Sequence, residues 1–299
     1  MSSGVLLIDK PEGMFSFDVI RKLRPFLRGT KVGYLGILDP MARGVLPLLL
    51  GKATRLAPFL EEGEKVYEGT IKLGVVTDTQ DRDGKVLEEI SDLSQYDLSP
   101  KRIQEVFREF TGRIRQVPPM FSAKKHRGRP LYVYARKGKE VPRDPKEVEV
   151  YRLELKGVEL PYIHFYLECS KGTYVRTLAH DIGKRLGPGG HLYALTRLKN
   201  GFFRLEDCIS LEEAVELGRA GRLWEKVWDL NKALAAVPAV ELVGQDLYRI
   251  SHGQAVFLRE GLKEGAVRIL DGQGQLVGLG VVSKVGNECM VRPVRVLKV

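Results

Sequence analysis

Ile163-His164-Phe165-Tyr166-Leu167-Glu168-Cys169-Ser170-Lys171-Gly172-Thr173-Tyr174-Val175-Arg176 changes its hydrophobic period partway along. Ile163, Phe165, Leu167 and Cys169 alternate, which turns one face of a strand toward a core. Ser170-Lys171-Gly172-Thr173 reverses the chain, and Val175, Leu178, Ala179, Ile182 and Leu186 then recur at helical spacing until Gly187-Pro188-Gly189-Gly190 ends the helix. Upstream, Ser99 to Phe110 reads as a helix with Pro100 at its first position, and Val66 to Val75 as a strand closed by the acidic turn Asp78 to Gly84. Val5 to Asp9 reads as a short buried strand, and Ser16 to Leu27 as a helix with Ser16 as its N-cap. Strands and helices mix without regular β-α-β alternation. The expected fold class is therefore α+β around a mixed, largely antiparallel central sheet, not a doubly wound sheet.

Composition shifts near Val237-Pro238. Beyond it lies a hairpin signal, Val267 to Leu270 and Leu276 to Val282 joined by Asp271-Gly272-Gln273-Gly274. About sixty residues suit a small β-barrel, so the expected division is 1–236 and 237–299. The chain has 299 residues, 43% hydrophobic and 29% charged, the balance of an ordinary globular protein. Its most apolar run, Val45 to Leu50, is interrupted by Pro47 and is too short to span a membrane, and Val5 to Ile8 is too short for a signal peptide. Cytoplasmic residence is the expectation. Cys169, Cys208 and Cys289 form no Cys-x-x-Cys pair and are expected to be buried thiols.

The net charge of +10 is concentrated. Between Arg113 and Arg143 ten Lys or Arg residues face one acid, Glu140. Lys124, Lys125, Arg127, Arg129, Arg136 and Lys137 lie at the centre of this block, with Phe121, Tyr132 and Tyr134 interleaved. A solvated charged face usually mixes signs; a single-sign block with aromatics suits a polyanion whose bases can stack.

Three residues can carry chemistry. Asp39 precedes Pro40 in a glycine-rich segment, where by itself it reads as a turn aspartate. Arg176 sits in the first turn of a helix, where a cation opposes the dipole and calls for an anion: a phosphate, or a carboxylate such as Asp39. Spacing alone also fits a surface arginine. Tyr67 is a core aromatic or a flat surface for an extruded base. The turn Asp78 to Gly84 fails the calcium pattern, because Thr79 and Ile90 stand where acids are required. No histidine spacing fits a metal, so metal-free chemistry is expected.

Taken together, Leu7 to Gly13, Gly33 to Pro47, Lys65-Val66-Tyr67 with Gly74 to Gly84, Gln116 to Ala123, and Cys169 to Leu178 resemble the TruB family of bacterial tRNA pseudouridine synthases in order and spacing. The resemblance implies a pseudouridine-synthase fold with a basic, thumb-like RNA-gripping insertion at about 113–143 and a C-terminal PUA-like RNA-binding domain. It implies action on the T-arm uridine at tRNA position 55, with no cofactor, in a monomer needing no guide RNA or protein partner. Residue by residue, it makes Asp39 the essential acid, Tyr67 the tyrosine stacked on the flipped base and Arg176 the partner of the acid. Lys10 and Pro11 would support the floor of the site, and Leu195 or Leu198 would line the pocket. Where the family usually has histidine and two threonines, this chain has Tyr34, Ile37 and Arg43. Tyr34 and Arg43 are expected at the RNA, with competition against Arg176 for the carboxylate as the alternative for Arg43. Two other readings are a tRNA-folding RNA chaperone with catalysis secondary or lost and a guide-RNA-dependent, dyskerin-like relative. The Pro118-Pro119-Met120-Phe121 run and its basic continuation argue against the second.

Overall fold

The structure, a computed structural model, describes residues 3–259 and 261–297. The alternating stretch forms the strand Tyr162–Cys169, with Ile163, Phe165, Leu167 and Cys169 buried, and the helix Val175–Leu186 follows it. This strand lies inside a ten-stranded sheet. Its main path runs Ile209–Ser210, Gly4–Lys10, Ala42–Leu50, Gly190–Asn200, Lys65–Leu73, Tyr162–Cys169, Lys146–Glu159 and Gly112–Gln116. Two of these pairings are parallel, Gly4–Lys10 with Ile209–Ser210 and Ala42–Leu50 with Gly190–Asn200; the rest are antiparallel. The helices Val175–Leu186 and Pro100–Glu109 bury Leu178, Ile182, Ile103 and Phe107 against one face, and Ser16–Leu23 and Leu211–Arg219 cover another part of the sheet.

Ala42–Leu50 is buried along almost its whole length because apolar clusters lie on both faces. On one edge it pairs continuously with Gly4–Lys10. On the other, residues 42–44 pair with Gly190–Asn200, and residues 48–50 pair with Val32–Tyr34. Pro47, which has no N–H to give a ladder, falls in the gap between those two partners. The chain leaving Val32–Tyr34 fills that gap, and this loop carries Asp39. At Gly44 the backbone has φ +110°, and a Cβ there would lie 2.2 Å from the Arg197 carbonyl oxygen. Gly44→Ala combines a positive φ with a backbone overlap, so it should cost about 3 kcal/mol of stability. An unchanged thermal unfolding midpoint would contradict the close approach.

Several expectations shift. The first helix spans Ser16–Leu23 with Phe15 as N-cap, and a 3-10 turn, Arg24–Phe26, replaces its expected end because Pro25 cannot donate an α-helical hydrogen bond. The Ser16 hydroxyl makes no cap; it bonds the backbone of Leu38 instead. The strand expected over Val66 to Val75 is Lys65–Leu73, and Gly74 separates it from Val75–Thr77. Arg113 and Arg115 lie on the edge strand of the sheet rather than in the insertion, which leaves the sheet after Gln116 and returns at Lys146. Cys169 and Cys289 are buried, whereas Cys208 is only partly so.

Beyond Val237 a second sheet of five strands has the order Ala239–Glu241, Gly265–Leu270, Leu276–Val285, Glu288–Val296, Val256–Arg259. Its two outermost strands are not paired to each other, so it is a half-barrel. Leu276, Leu279 and Leu297 join the core around Val5, Leu49 and Phe203. Arg268 further ties this sheet to the preceding segment through the Val237 carbonyl at 2.8 Å. Among the described residues no helix is long and apolar enough to cross a membrane.

Candidate active site

The loop between Val32–Tyr34 and Ala42–Leu50 is fixed at nearly every carbonyl. Asn200 Nδ2 donates to Leu35 O at 3.1 Å. Arg197, fully buried, donates from Nη2 to Gly36 O at 2.9 Å, from Nη1 to Ile37 O at 3.4 Å, and from Nε to Val45 O at 2.9 Å. The Ser16 hydroxyl accepts from Leu38 N and donates to Leu38 O, both at 3.0 Å. The Lys10 ammonium, also fully buried, donates to Pro11 O, Met14 O and Pro40 O at 2.8, 2.7 and 3.3 Å. Asp39 is thus held from both sides while its side chain stays one-third exposed, open to a ligand.

Its carboxylate meets Arg176: Nε lies 2.9 Å from Asp39 Oδ2. The other guanidinium nitrogens are also engaged. Nη1 lies 3.3 Å from Asp81 Oδ2 and donates to Thr79 O, and Nη2 donates to Phe121 O at 2.9 Å. The acidic turn therefore delivers a second carboxylate to the same cation. Burial pushes the Asp81 carboxyl up, and hydrogen bonding from Thr79 and the charge of Arg176 oppose that shift. Phe121 belongs to the root of the basic insertion, so one side chain joins the Asp39 loop, the acidic turn and the insertion. Gln116, buried, fixes the start of the Arg176 helix by a two-way amide exchange with Tyr174.

Tyr67 is buried in the same cluster as Leu38, Met41 and Leu195. Burial pushes its phenol up to about 12, and the adjacent Arg197 pulls the other way. Lys65, on the same strand, is drawn down by burial and then by Arg197. Leu195 is close-packed beside the loop, while Leu198 lies half-exposed where the pairing with Lys65–Leu73 slips between Arg197 and Lys199.

The three departures from the family pattern occupy different places. Tyr34 is half-buried and packs against the cluster of the Ser16–Leu23 helix. Ile37 is 55% exposed next to Asp39. Arg43 does not compete for Asp39: its Nη2 pairs with Asp9 Oδ2 at 2.9 Å. The physical reason is strand register, because Arg43 lies beyond the loop on Ala42–Leu50, whose neighbour is the strand carrying Asp9.

Lys124, Lys125, Arg127, Arg129, Arg136 and Lys137 are all exposed on the insertion, a hairpin of Lys125–His126 and Arg129–Pro130 followed by the helix Leu131–Ala135. Arg136 stacks 5.3 Å from the Tyr132 ring centre. None of these six cations has a carboxylate partner among the described residues. Sequence reasoning missed Arg197, Asp81 and Gln116. A signal existed for the first: Arg197 follows Leu195 by two residues, so in a strand it shares the inward face.

Comparison with known proteins follows the same segments. A family model described as TruB family pseudouridylate synthase (N terminal domain) matches residues 24–175. Models described as tRNA pseudouridylate synthase B C-terminal domain and as Pseudouridine synthase II TruB, C-terminal, match residues 176–234 and 238–297. The chain is 45% identical over 263 residues to tRNA pseudouridine synthase B of Geobacter sulfurreducens, covering 88% of this chain and 85% of that one. It is 38% identical to the protein of the same name from Syntrophomonas wolfei, covering 99% of both. Among solved structures, a chain of an H/ACA RNP bound to a substrate RNA containing 2'-deoxyuridine superposes with a TM-score of 0.73 at 26% identity, covering 99% of this chain and 84% of that one.

Proposed function

This chain belongs to the TruB family of pseudouridylate synthases, and from that premise we propose that it isomerises the T-arm uridine at tRNA position 55, with Asp39 as the catalytic carboxylate. The observation that carries this reading is the Asp39–Arg176 pair at 2.9 Å in a loop clamped on both sides yet open to a ligand. Isomerisation breaks the bond from N1 of uracil to C1′ of the ribose and forms one from C5 to C1′. The C5 proton leaves and N1 regains one, so no atom is gained or lost and no cofactor is required. A single carboxylate can act by attacking the ribose, by attacking the base or by taking a sugar proton. In each case the carboxylate must be aimed, which is what Arg176 and the clamped loop supply.

A tyrosine phenol is neutral at pH 7 in any case, and burial pushes that of Tyr67 further up, to about 12. It serves as the surface on which the flipped base stacks rather than as a ready base. Extruding the base costs a few kcal/mol, offset by contacts of Lys124, Lys125, Arg127, Arg129, Arg136 and Lys137 to the T arm. Tyr34 and Arg43 lie at the RNA side, and Leu195, with Leu198 at the rim, lines the base pocket. We divide the chain into a catalytic unit, 1–236, and a PUA-like RNA-binding unit, 237–299, working as a cytoplasmic monomer without guide RNA. The insertion between Gln116 and Lys146 supports the stand-alone reading over a guide-dependent one. A T-arm hairpin labelled with tritium at uridine C5 tests the chemistry. The purified chain should release the label to water, and full retention by folded, RNA-bound enzyme would sink the proposal.

Lys10 makes the site pH-sensitive. Burial lowers its pKa from 10.5 to about 8, against the opposing pull of Asp39. The ammonium has three N–H donors for its three carbonyls; the neutral amine has two. Above pH 8 one carbonyl beside the loop loses its donor, so turnover should fall by roughly threefold, and Lys10→Arg, which does not titrate there, should remove that step. Stability moves the other way. Between about 8 and 10.5 the unfolded chain holds this proton and the folded chain does not, so the contribution of this group to stability rises with pH in that window. A flat wild-type turnover profile through pH 8 would contradict the role of Lys10.

A further inference from the structure

Arg197 is a fully buried arginine with no carboxylate in contact among the described residues. A buried guanidinium is costly unless its N–H groups are all used. Here four N–H groups go to backbone carbonyls flanking one loop, Gly36 O and Ile37 O before Asp39 and Val45 O after it, the last bonded by both Nε at 2.9 Å and Nη2 at 2.7 Å, and the guanidinium also hydrogen-bonds the Tyr67 side chain. The backbone of Arg197 is paired on one side with Gly44 and on the other with Tyr67. The residue therefore stands between the strand that leaves the Asp39 loop and the strand that carries Tyr67, and its side chain closes the gap in the sheet from which the loop emerges.

We infer that Arg197 is a positioning residue for the isomerisation, one that fixes the Asp39 carboxylate relative to the Tyr67 ring by bridging the two ends of the catalytic loop. This rests on the reading of Asp39 as the catalyst. The planar fork matters, because one guanidinium reaches carbonyls that point at it from the loop and from the strand at once, whereas an ammonium is a point donor on a flexible stem. The crowding at Gly36 shows how closely the donors gather. A Cβ there would come within 3.1 Å of Lys65 Nζ, 3.2 Å of Arg197 Nη1 and 3.3 Å of Asn200 Nδ2. Arg197 meets neither the exposed cations of the insertion nor open solvent, so its influence falls on the geometry of the reacting groups and leaves the RNA grip alone.

The test uses the full chain with Arg197→Gln and Arg197→Lys, each checked for native near-UV circular dichroism, in single-turnover reactions at saturating tRNA alongside tRNA affinity. A displacement of about 1 Å at reacting groups lowers a rate on the order of 100-fold, which is the loss expected for Arg197→Gln. Arg197→Lys should lose about tenfold, and both should bind tRNA within about threefold of wild type. A folded variant that reacts within about threefold of wild type, or one that loses rate and tRNA affinity in equal proportion, overturns the proposal. If neither variant folds, Asn200→Ala, which removes only the neighbouring donor to Leu35 O, must show the same split between rate and affinity. Its reacting at the wild-type rate overturns the proposal too. An inactive wild-type chain would instead overturn the functional reading and this inference with it, whereas an active wild type with insensitive variants overturns this inference alone.

Discussion

Asp39→Asn should leave a folded chain that binds tRNA and forms no measurable pseudouridine, a fall of at least about 10⁴-fold. The amide has the shape of the carboxylate and can still accept a hydrogen bond from Arg176 Nε, so the loop keeps its clamps at Leu38 and Pro40. What disappears is the negative charge, and with it nucleophile and base alike. Folding should hardly notice, because the side chain is one-third exposed and the backbone anchors are untouched. tRNA affinity should hold because the exposed cations of the insertion are separate from the carboxylate. Tritium release with filter binding on the same preparation reads both quantities. Retained release at even a hundredth of the wild-type rate would remove Asp39 from the chemistry.

Replacing Arg176 should damage folding and catalysis together. Arg176→Met strips the cation from two carboxylates, Asp39 and the buried Asp81, and leaves the Thr79 and Phe121 carbonyls without their donor. Removing one partner of a buried ion pair costs about 3–5 kcal/mol, because the remaining charge is uncompensated. Activity should fall by on the order of 10³-fold, since Asp39 loses the group that aims it. The origin of the instability is separable. Adding Asp81→Asn to Arg176→Met removes the stranded buried charge, so the double variant should unfold at a higher temperature than Arg176→Met alone while remaining inactive. A double variant no more stable than the single one would show that the shared cation is not what Asp81 requires.

Much of this arrangement was readable in local pattern. The strand and helix around Ser170 to Thr173 announce themselves by a change of period, and a cation in the first turn of a helix calls for an anion, although only the family resemblance narrows that anion to Asp39. Residues whose partners lie far along the chain were not readable. Arg197 carries only the hint of its two-residue spacing from Leu195, and its partners emerge once two strand pairings bring it under Gly36 and Val45. Ser16 has the type and position of a helix cap, yet its hydroxyl is taken by Leu38, 22 residues away. Arg43 follows the register of its strand to Asp9 and so leaves the carboxylate to Arg176. Asp81 lies in an acidic turn whose composition suggests a metal loop rather than a partner for Arg176. In each case a short-range motif assigned a residue type its commonest role, and tertiary pairing assigned another. The gap beside Pro47 has the same origin, since it is a property of two strands that never meet in sequence.

The claim that this chain converts the T-arm uridine to pseudouridine by itself is tested most directly with one reaction: purified chain, unmodified tRNA, no guide RNA and no other protein, followed by position-resolved mapping of pseudouridine. The account predicts a single modified site, at position 55, present with the wild-type chain and absent with Asp39→Asn. Pseudouridine appearing at other uridines, or none forming until a guide RNA is added, would contradict it.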